Sequence, residues 1–184
     1  MGLSYGVGAA DRILLDGFIG RTMRRAFRVL ELGEVLAPHG LGKLKLGMTV
    51  KKARSTGYIK PGKGICGPPV LKQKYTAHLG WHQGRLAEVA AFPGSNIATR
   101  RGVGPGATVA EMRSGHPGLA GPFTTPLLSD SGTVWAYLQR TKSGVLVFVL
   151  DGSASGRAPV DQDLVRSMFA AKKWSPRKGL ASGC

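Results

Sequence analysis

Gly47-Met48-Thr49-Val50-Lys51-Lys52-Ala53-Arg54-Ser55 returns, 59 residues on, as Gly106-Ala107-Thr108-Val109-Ala110-Glu111-Met112-Arg113-Ser114, with Gly, Thr, Val, Arg and Ser in register. A repeat at this distance points to two copies of one supersecondary unit. Each copy reads as a Gly turn followed by a Thr N-cap and a short helix. Glu111, three residues after Thr108, completes a capping box. Gly57 suits the end of the first helix, and the second ends near Ser114-Gly115. The match extends further. Ala77-His78-Leu79 faces Ala136-Tyr137-Leu138 at the same shift, and Gly84-Arg85-Leu86-Ala87-Glu88-Val89 faces Gly144-Val145-Leu146-Val147-Phe148-Val149 one residue later.

The first unit then spans 40–93. Leu41 and the alternation Lys43-Leu44-Lys45-Leu46 predict a short strand before the helix. Residues 60–69 form a Gly- and Pro-rich loop around Cys66. Strands follow near 74–81 and 86–92, joined by His82-Gln83-Gly84-Arg85 as a hairpin turn. The second unit spans 99–152. Gly102-Val103-Gly104-Pro105-Gly106 replaces the first strand, and a loop runs through Pro117, Gly121, Pro122 and Pro126. Strands are expected over 133–141 and 145–150. Val145 to Leu150 is apolar without a break, as in a strand buried on both faces.

Outside this tandem domain, 39–152, the flanks read as helices. Ile13, Leu14, Phe18, Met23, Phe27, Leu30 and Leu36 fall near one stripe of a helix over 11–36, with Arg21, Arg24, Arg25 and Arg28 largely off it. This makes 1–38 a partly helical extension. Arginines interrupt its middle, so it does not read as a secretory signal. After a small-residue linker at 153–158, a helix is expected from Pro159 to about Trp174. Its apolar face is Val160, Leu164, Val165, Met168 and Phe169, and Lys172 and Lys173 sit at its negative end. The fold class expected is therefore α+β: two helix-plus-antiparallel-hairpin units forming a sheet, flanked by N- and C-terminal helices.

The Gly-Met-Thr signal after Gly40-Leu41-Gly42-Lys43-Leu44-Lys45-Leu46, a helix closed by Gly57 and two following strands resemble a group of uncharacterised actinobacterial tandem-repeat proteins, mostly exported or lipid-anchored. More distantly, the arrangement is similar to the β-lactamase inhibitor protein and the small outer-membrane assembly lipoprotein fold. The likeness covers roughly 40–152. It implies a fold used for binding other proteins rather than for catalysis. The paired cysteines of the inhibitor are absent from each unit, and no lipobox cysteine stands near the start.

Charge is the second strong signal. Twenty-six Lys and Arg against ten Asp and Glu give the 184-residue chain a net charge of +16. Such an excess favours nucleic acid, anionic membranes or acidic proteins as partners. No run of 18 apolar residues exists, so no transmembrane segment is expected. The basic residues cluster. Lys43, Lys45, Lys51, Lys52, Arg54, Lys60 and Lys63 crowd the first unit, Arg100 and Arg101 open the second, and Lys172, Lys173, Arg177 and Lys178 lie near the end. The candidate contact patch is Lys43, Lys45, Lys51, Lys52, Arg54, Arg100, Arg101, Lys172 and Lys173. Trp81, Tyr75, Tyr137 and Trp174 are candidate stacking surfaces. No helix-turn-helix, zinc finger or ribonucleoprotein motif accompanies them.

Catalytic and metal motifs are weak. His78 and His82 have the i, i+4 spacing of helical zinc ligands, but on a strand that spacing separates them by about 13 Å. Gly102 to Ala107 opens a helix as a phosphate loop would, yet Pro105 removes an amide and no P-loop lysine follows. Any serine, His116 and Asp130 or Asp151 spell a triad without a nucleophile-elbow context. Cys66 and Cys184 lack metal-site spacing, and a bridge between them requires the tail to fold back. No cofactor, metal or catalytic residue is expected. The expected function is a non-catalytic protein-binding or cell-envelope accessory module. The alternative is a basic nucleic-acid-binding protein acting inside the cell.

Overall fold

The computed structural model describes residues 34–60, 69–72, 77–126, 132–151 and 157–173. Ten strands and two helices occupy them: β1 (Glu34–Ala37), β2 (Gly40–Leu41), β3 (Leu44–Lys45), α1 (Val50–Ser55), β4 (Ala77–His82), β5 (Arg85–Ala91), β6 (Ile97–Ala98), α2 (Val109–Gly115), β7 (Ala120–Pro126), β8 (Thr133–Thr141), β9 (Gly144–Leu150) and β10 (Val165–Ala171). The strands form a small sheet ordered β3-β2-β1-β6 and a larger one ordered β4-β5-β10-β9-β8-β7. The larger sheet is antiparallel throughout, and β1 pairs parallel to β6.

The expected α+β class is thereby corrected: the described chain is mostly β, with two short helices and no C-terminal flanking helix. The largest departure is β10. Val160, Leu164, Val165, Met168 and Phe169 fit a helical stripe, but a short apolar run does not by itself discriminate helix from buried strand. Here Met168 faces Ala91 on β5 and Phe148 on β9. Pairing on both edges saturates the backbone of β10, and this tertiary satisfaction outweighs local propensity. Glu34–Ala37, read as the end of the N-terminal helix, is a strand; residues 11–33 of that helix lie outside the described residues. Lys43–Leu46 is not one strand but part of a tight hairpin, Gly40 opposite Lys45 and Leu41 opposite Leu44. Ala120–Pro126, expected as loop, is the edge strand β7. An edge position tolerates Pro122 and Pro126 because a missing N–H there need not break a ladder.

The capped turns form as the repeat predicts. Thr49 and Thr108 are extended N-caps whose side chains accept from Lys52 N and Glu111 N, and the second is a complete capping box. Gly57 follows α1 with φ +80. Between β4 and β5, Gln83 and Gly84 both have positive φ, as a tight hairpin turn requires.

The second copy is wired differently from the first. Gly47 N–H donates to Leu86 O (2.7 Å), and Leu86 N–H donates to Met48 O (2.9 Å), so the first turn is pinned to the start of β5. Gly106 N–H donates to Val165 O and Val165 N–H to Ala107 O, both 2.7 Å, so the second turn is pinned to β10. Both strands carry a register shift immediately after this junction. Both then return their apolar residues, Leu86 and Val89 or Val165 and Met168, to one core. The structural counterpart of β5 is thus β10, not the β9 that best matches it in sequence.

That core lies between the sheets and beneath both helices. It includes Leu36, Leu41 and Leu44 of the small sheet, Ala53 and Met112 of the helices, and Leu86, Phe148 and Met168 of the large sheet. Burial of a side chain such as Phe148 contributes about 1.5–3 kcal/mol. Val145, Val147 and Val149 belong to a second buried cluster on the other face, with Leu138 and Phe169. The unbroken apolar run of β9 is therefore buried on both faces, as its sequence predicts.

Candidate functional site

Two turns and the end of α2 bring three of the expected basic residues together. Lys45 sits on β3, and its Nζ donates to Gly42 O across the hairpin turn. Arg100 and Arg101 form the tip of a turn that begins at Thr99. Gly102 N–H donates to Thr99 O (2.9 Å), Thr99 N–H to Val103 O (2.7 Å) and Val103 N–H to Thr99 Oγ1 (3.3 Å). The positive φ of Gly102 closes that turn. Lys45, Arg100 and Arg101, with His39 and His116, line a cleft of about 390 Å³. Among the described residues no carboxylate lines it. Glu34 turns its carboxylate to Gly42 beside the Tyr58 hydroxyl, outside the lining.

His116 anchors the cleft floor. Only 7% exposed, it follows α2 and places Nε2 2.9 Å from Thr99 Oγ1 and Nδ1 3.2 Å from Gln139 Oε1. Its ring lies 5.0 Å from that of Phe148. Burial lowers its pKa, the Gln139 hydrogen bond opposes this, and Arg101 adds a further lowering. The neutral ring satisfies every partner if Nδ1–H donates to Gln139 and Nε2 accepts from the Thr99 hydroxyl. At His39 burial again lowers the pKa, followed by the charge of Lys45. Two imidazoles thus feel the lysine and arginine that share their cleft.

The order Thr99–His116–Gln139 has the connectivity of a nucleophile, a base and an orienting group, but not its chemistry. Thr99 is 2% exposed, and a neutral amide cannot stabilise an imidazolium as a carboxylate does. This chain of hydrogen bonds fixes the Arg100–Arg101 turn to β8. His116 is not joined there to Ser or Asp: its ring partners are Thr99 and Gln139.

A second basic cleft, about 300 Å³, is lined by Arg140, Thr141, Gly144, Val145, Lys172 and Lys173. Pro38 lines the first cleft and Gly144 the second, and the Pro38 carbonyl is packed directly on Gly144. The two clefts therefore flank one point of packing. The remaining expected patch residues line neither cleft. Lys43 is exposed in the β2–β3 turn, and Lys51, Lys52 and Arg54 are exposed on α1. Lys63, Arg177, Lys178, Tyr75, Trp174, Cys66 and Cys184 lie outside the described residues. Tyr137 is 2% exposed, with its hydroxyl 2.7 Å from Arg113, so it presents no stacking face; Trp81 is half-buried against the core, and its indole N–H donates to Pro69 O.

Acidic groups are engaged elsewhere. Asp161 pairs with Arg113 (3.1 Å), Asp163 pairs with Arg157 (2.6 Å), and Glu111 is held in its capping box. His78 and His82 both lie on the strand β4, which His82, read from the sequence as part of the hairpin turn, ends. Among the described residues no helix is long and apolar enough to cross a membrane. His39, Thr99, Gln139 and Arg140 had no local signal in the sequence; each enters a site through a residue distant in the chain.

No protein family matches the chain, and neither a curated protein nor a solved structure does.

Proposed function

We propose that the protein is a non-catalytic binding module whose ligand is a polyanion, nucleic acid in the first place, held along the rim formed by the two basic clefts. The observation that carries this reading is convergence. Residues far apart in sequence, Lys45 with Arg100 and Arg101, and Arg140 with Lys172 and Lys173, are gathered into adjacent clefts. A charge that served solubility alone has no need to converge. With Trp81 and Tyr137 committed to packing, the expected interaction is electrostatic, tracking phosphates rather than reading bases.

A protein partner is the second reading, and an acidic surface would meet the same rim. Docking through an apolar face has less support. Among the described residues the exposed large apolar side chains, Val70, Phe92, Val160 and Leu164, are divided among three places in the sequence.

Fluorescence anisotropy of a labelled duplex, read from low to near-physiological salt, tests the proposal. Binding should weaken linearly in log–log form. Neutralising Lys45, Arg100 and Arg101 to Gln should reduce the slope by roughly one for each phosphate no longer neutralised. Lys51→Gln with Lys52→Gln on α1 should leave the slope nearly unchanged. Absence of binding at low salt, or equal slopes in all variants, would reject this reading.

A further inference from the structure

We propose that the cleft between the β1–β3 turns and the Thr99–Val103 turn seats a single phosphate group. This deepens the polyanion reading by assigning one phosphate of the ligand to one place.

Three observations converge on it. First, the permanent cations suit a phosphate. Lys45 approaches from β3, and Arg100 and Arg101 from the turn before α2, with no carboxylate among the described lining residues. A terminal phosphate carries about −1.5 to −2 charges near neutrality and a backbone phosphodiester about −1, each spread over several oxygens that more than one cation can reach. Arginine forks suit phosphate oxygens, and lysine supplies a point charge. Second, the cleft is built before any ligand arrives. The arginine turn is tied by Thr99 to His116 and through it to Gln139, and Lys45 is held on Gly42 O. Preorganisation removes part of the ordering cost that isolated surface lysines incur. Third, two imidazoles stand in the same cleft, each with its pKa lowered by burial and by one of these cations. An anion in the cleft offsets the effect of these cations. Apolar walls from Val35, Ala37 and Pro38 complete the cleft. Its volume of about 390 Å³ leaves room for what the phosphate is attached to.

Lys45, Arg100, Arg101, Thr99 and Gln139 line the cleft with His39 and His116, and the Glu34 carboxylate lies beside Gly42, itself a lining residue. An entering phosphate should therefore raise the titration midpoints of both histidines. His78 and His82, on β4 and outside the cleft lining, serve as internal references.

The experiment is an NMR titration of the whole chain with inorganic phosphate, following the imidazole signals at fixed ionic strength. His39 and His116 should move, their midpoints should rise, and His78 and His82 should stay. Lys45→Gln and Arg101→Gln should each weaken phosphate about tenfold, with Arg100→Gln as an independent variant on the same turn. Lys172→Gln should not weaken it. A second arm compares a dinucleotide with and without a 5′-phosphate. Preference for the phosphorylated form assigns a terminal phosphate to the seat, and equal binding assigns a backbone phosphodiester. No movement of His39 and His116, or equal movement of all four histidines, would overturn the seat. Duplex affinity untouched by Lys45→Gln and Arg101→Gln would overturn it while leaving the wider rim. Phosphate binding in the cleft without duplex affinity would keep the seat and reject the polyanion reading.

Discussion

Glu88 shows how one residue can oppose the fold that contains it. It lies on β5, between Gly80 of β4 and Ala171 of β10, neither of which offers a partner for a carboxylate. Gly80 is as close as a neighbour can be, since a Cβ there would stand 3.0 Å from Glu88 Cβ. Burial pushes the Glu88 carboxyl up to about 7 from its ordinary 4.5. The folded state therefore holds this proton more tightly than the unfolded state. The resulting stabilisation is complete below about pH 4.5 and is lost as pH rises through about 7. The difference corresponds to about 3 kcal/mol. Glu88→Gln should be nearly neutral at pH 4 and should stabilise the protein by about 2–3 kcal/mol at pH 8. Urea midpoints across that range check it, and parallel pH curves for the two proteins would refute it. His116 carries the opposite sign. Its lowered pKa favours the neutral ring, so its contribution is present above about 6.5 and is lost as pH falls.

At the scale of elements, the clefts depend on where strands end. β1 stops at Ala37, and the next carbonyl, Pro38 O, rests on Gly144 at the start of β9. A Cβ on Gly144 would collide with that carbonyl and lie 2.9 Å from Ala171 O. Its φ of +156 is extended in kind but open to few side chains. Gly144→Ala should therefore cost about 2–4 kcal/mol, because backbone rather than a flexible side chain must move. Circular dichroism melting should show a fall of several degrees. An unchanged melting temperature would mean that the β1 end is not fixed there. Much of the element level is legible in sequence: both caps, the Gln83-Gly84 turn, and β4, β5, β8 and β9 within a few residues. β7 and β10 are not. Proline-rich β7 resembles a loop until its position at a sheet edge is known. The apolar run of β10 satisfies helix and strand periodicity alike until its two neighbours are known.

For the whole molecule, β10 is the strand that makes one sheet from two hairpin systems. Without it, β4–β5 and β7–β8–β9 share no ladder in the six-stranded order. Hydrogen exchange should therefore show amides of β5, β9 and β10 opening together in one global event. Exchange of β4–β5 at markedly lower free energy than β9 would show that the halves open separately. The same arrangement gathers charge. Lys172 and Lys173 follow β10 and line one cleft with Arg140 of β8, and Lys45 lines the other with Arg100 and Arg101. By itself the sequence determined the local features: capped turns repeated 59 residues apart, a strand apolar on both faces, and a large excess of cations. These follow from φ/ψ preference, side-chain hydrogen bonds and periodicity, which act over a few residues. Only the tertiary structure decided that the second turn closes on β10, that His116 holds the arginine turn, and which cations share a cleft. Each of these rests on hydrogen bonds or charge proximity between residues far apart in the chain, and no local pattern encodes such pairings.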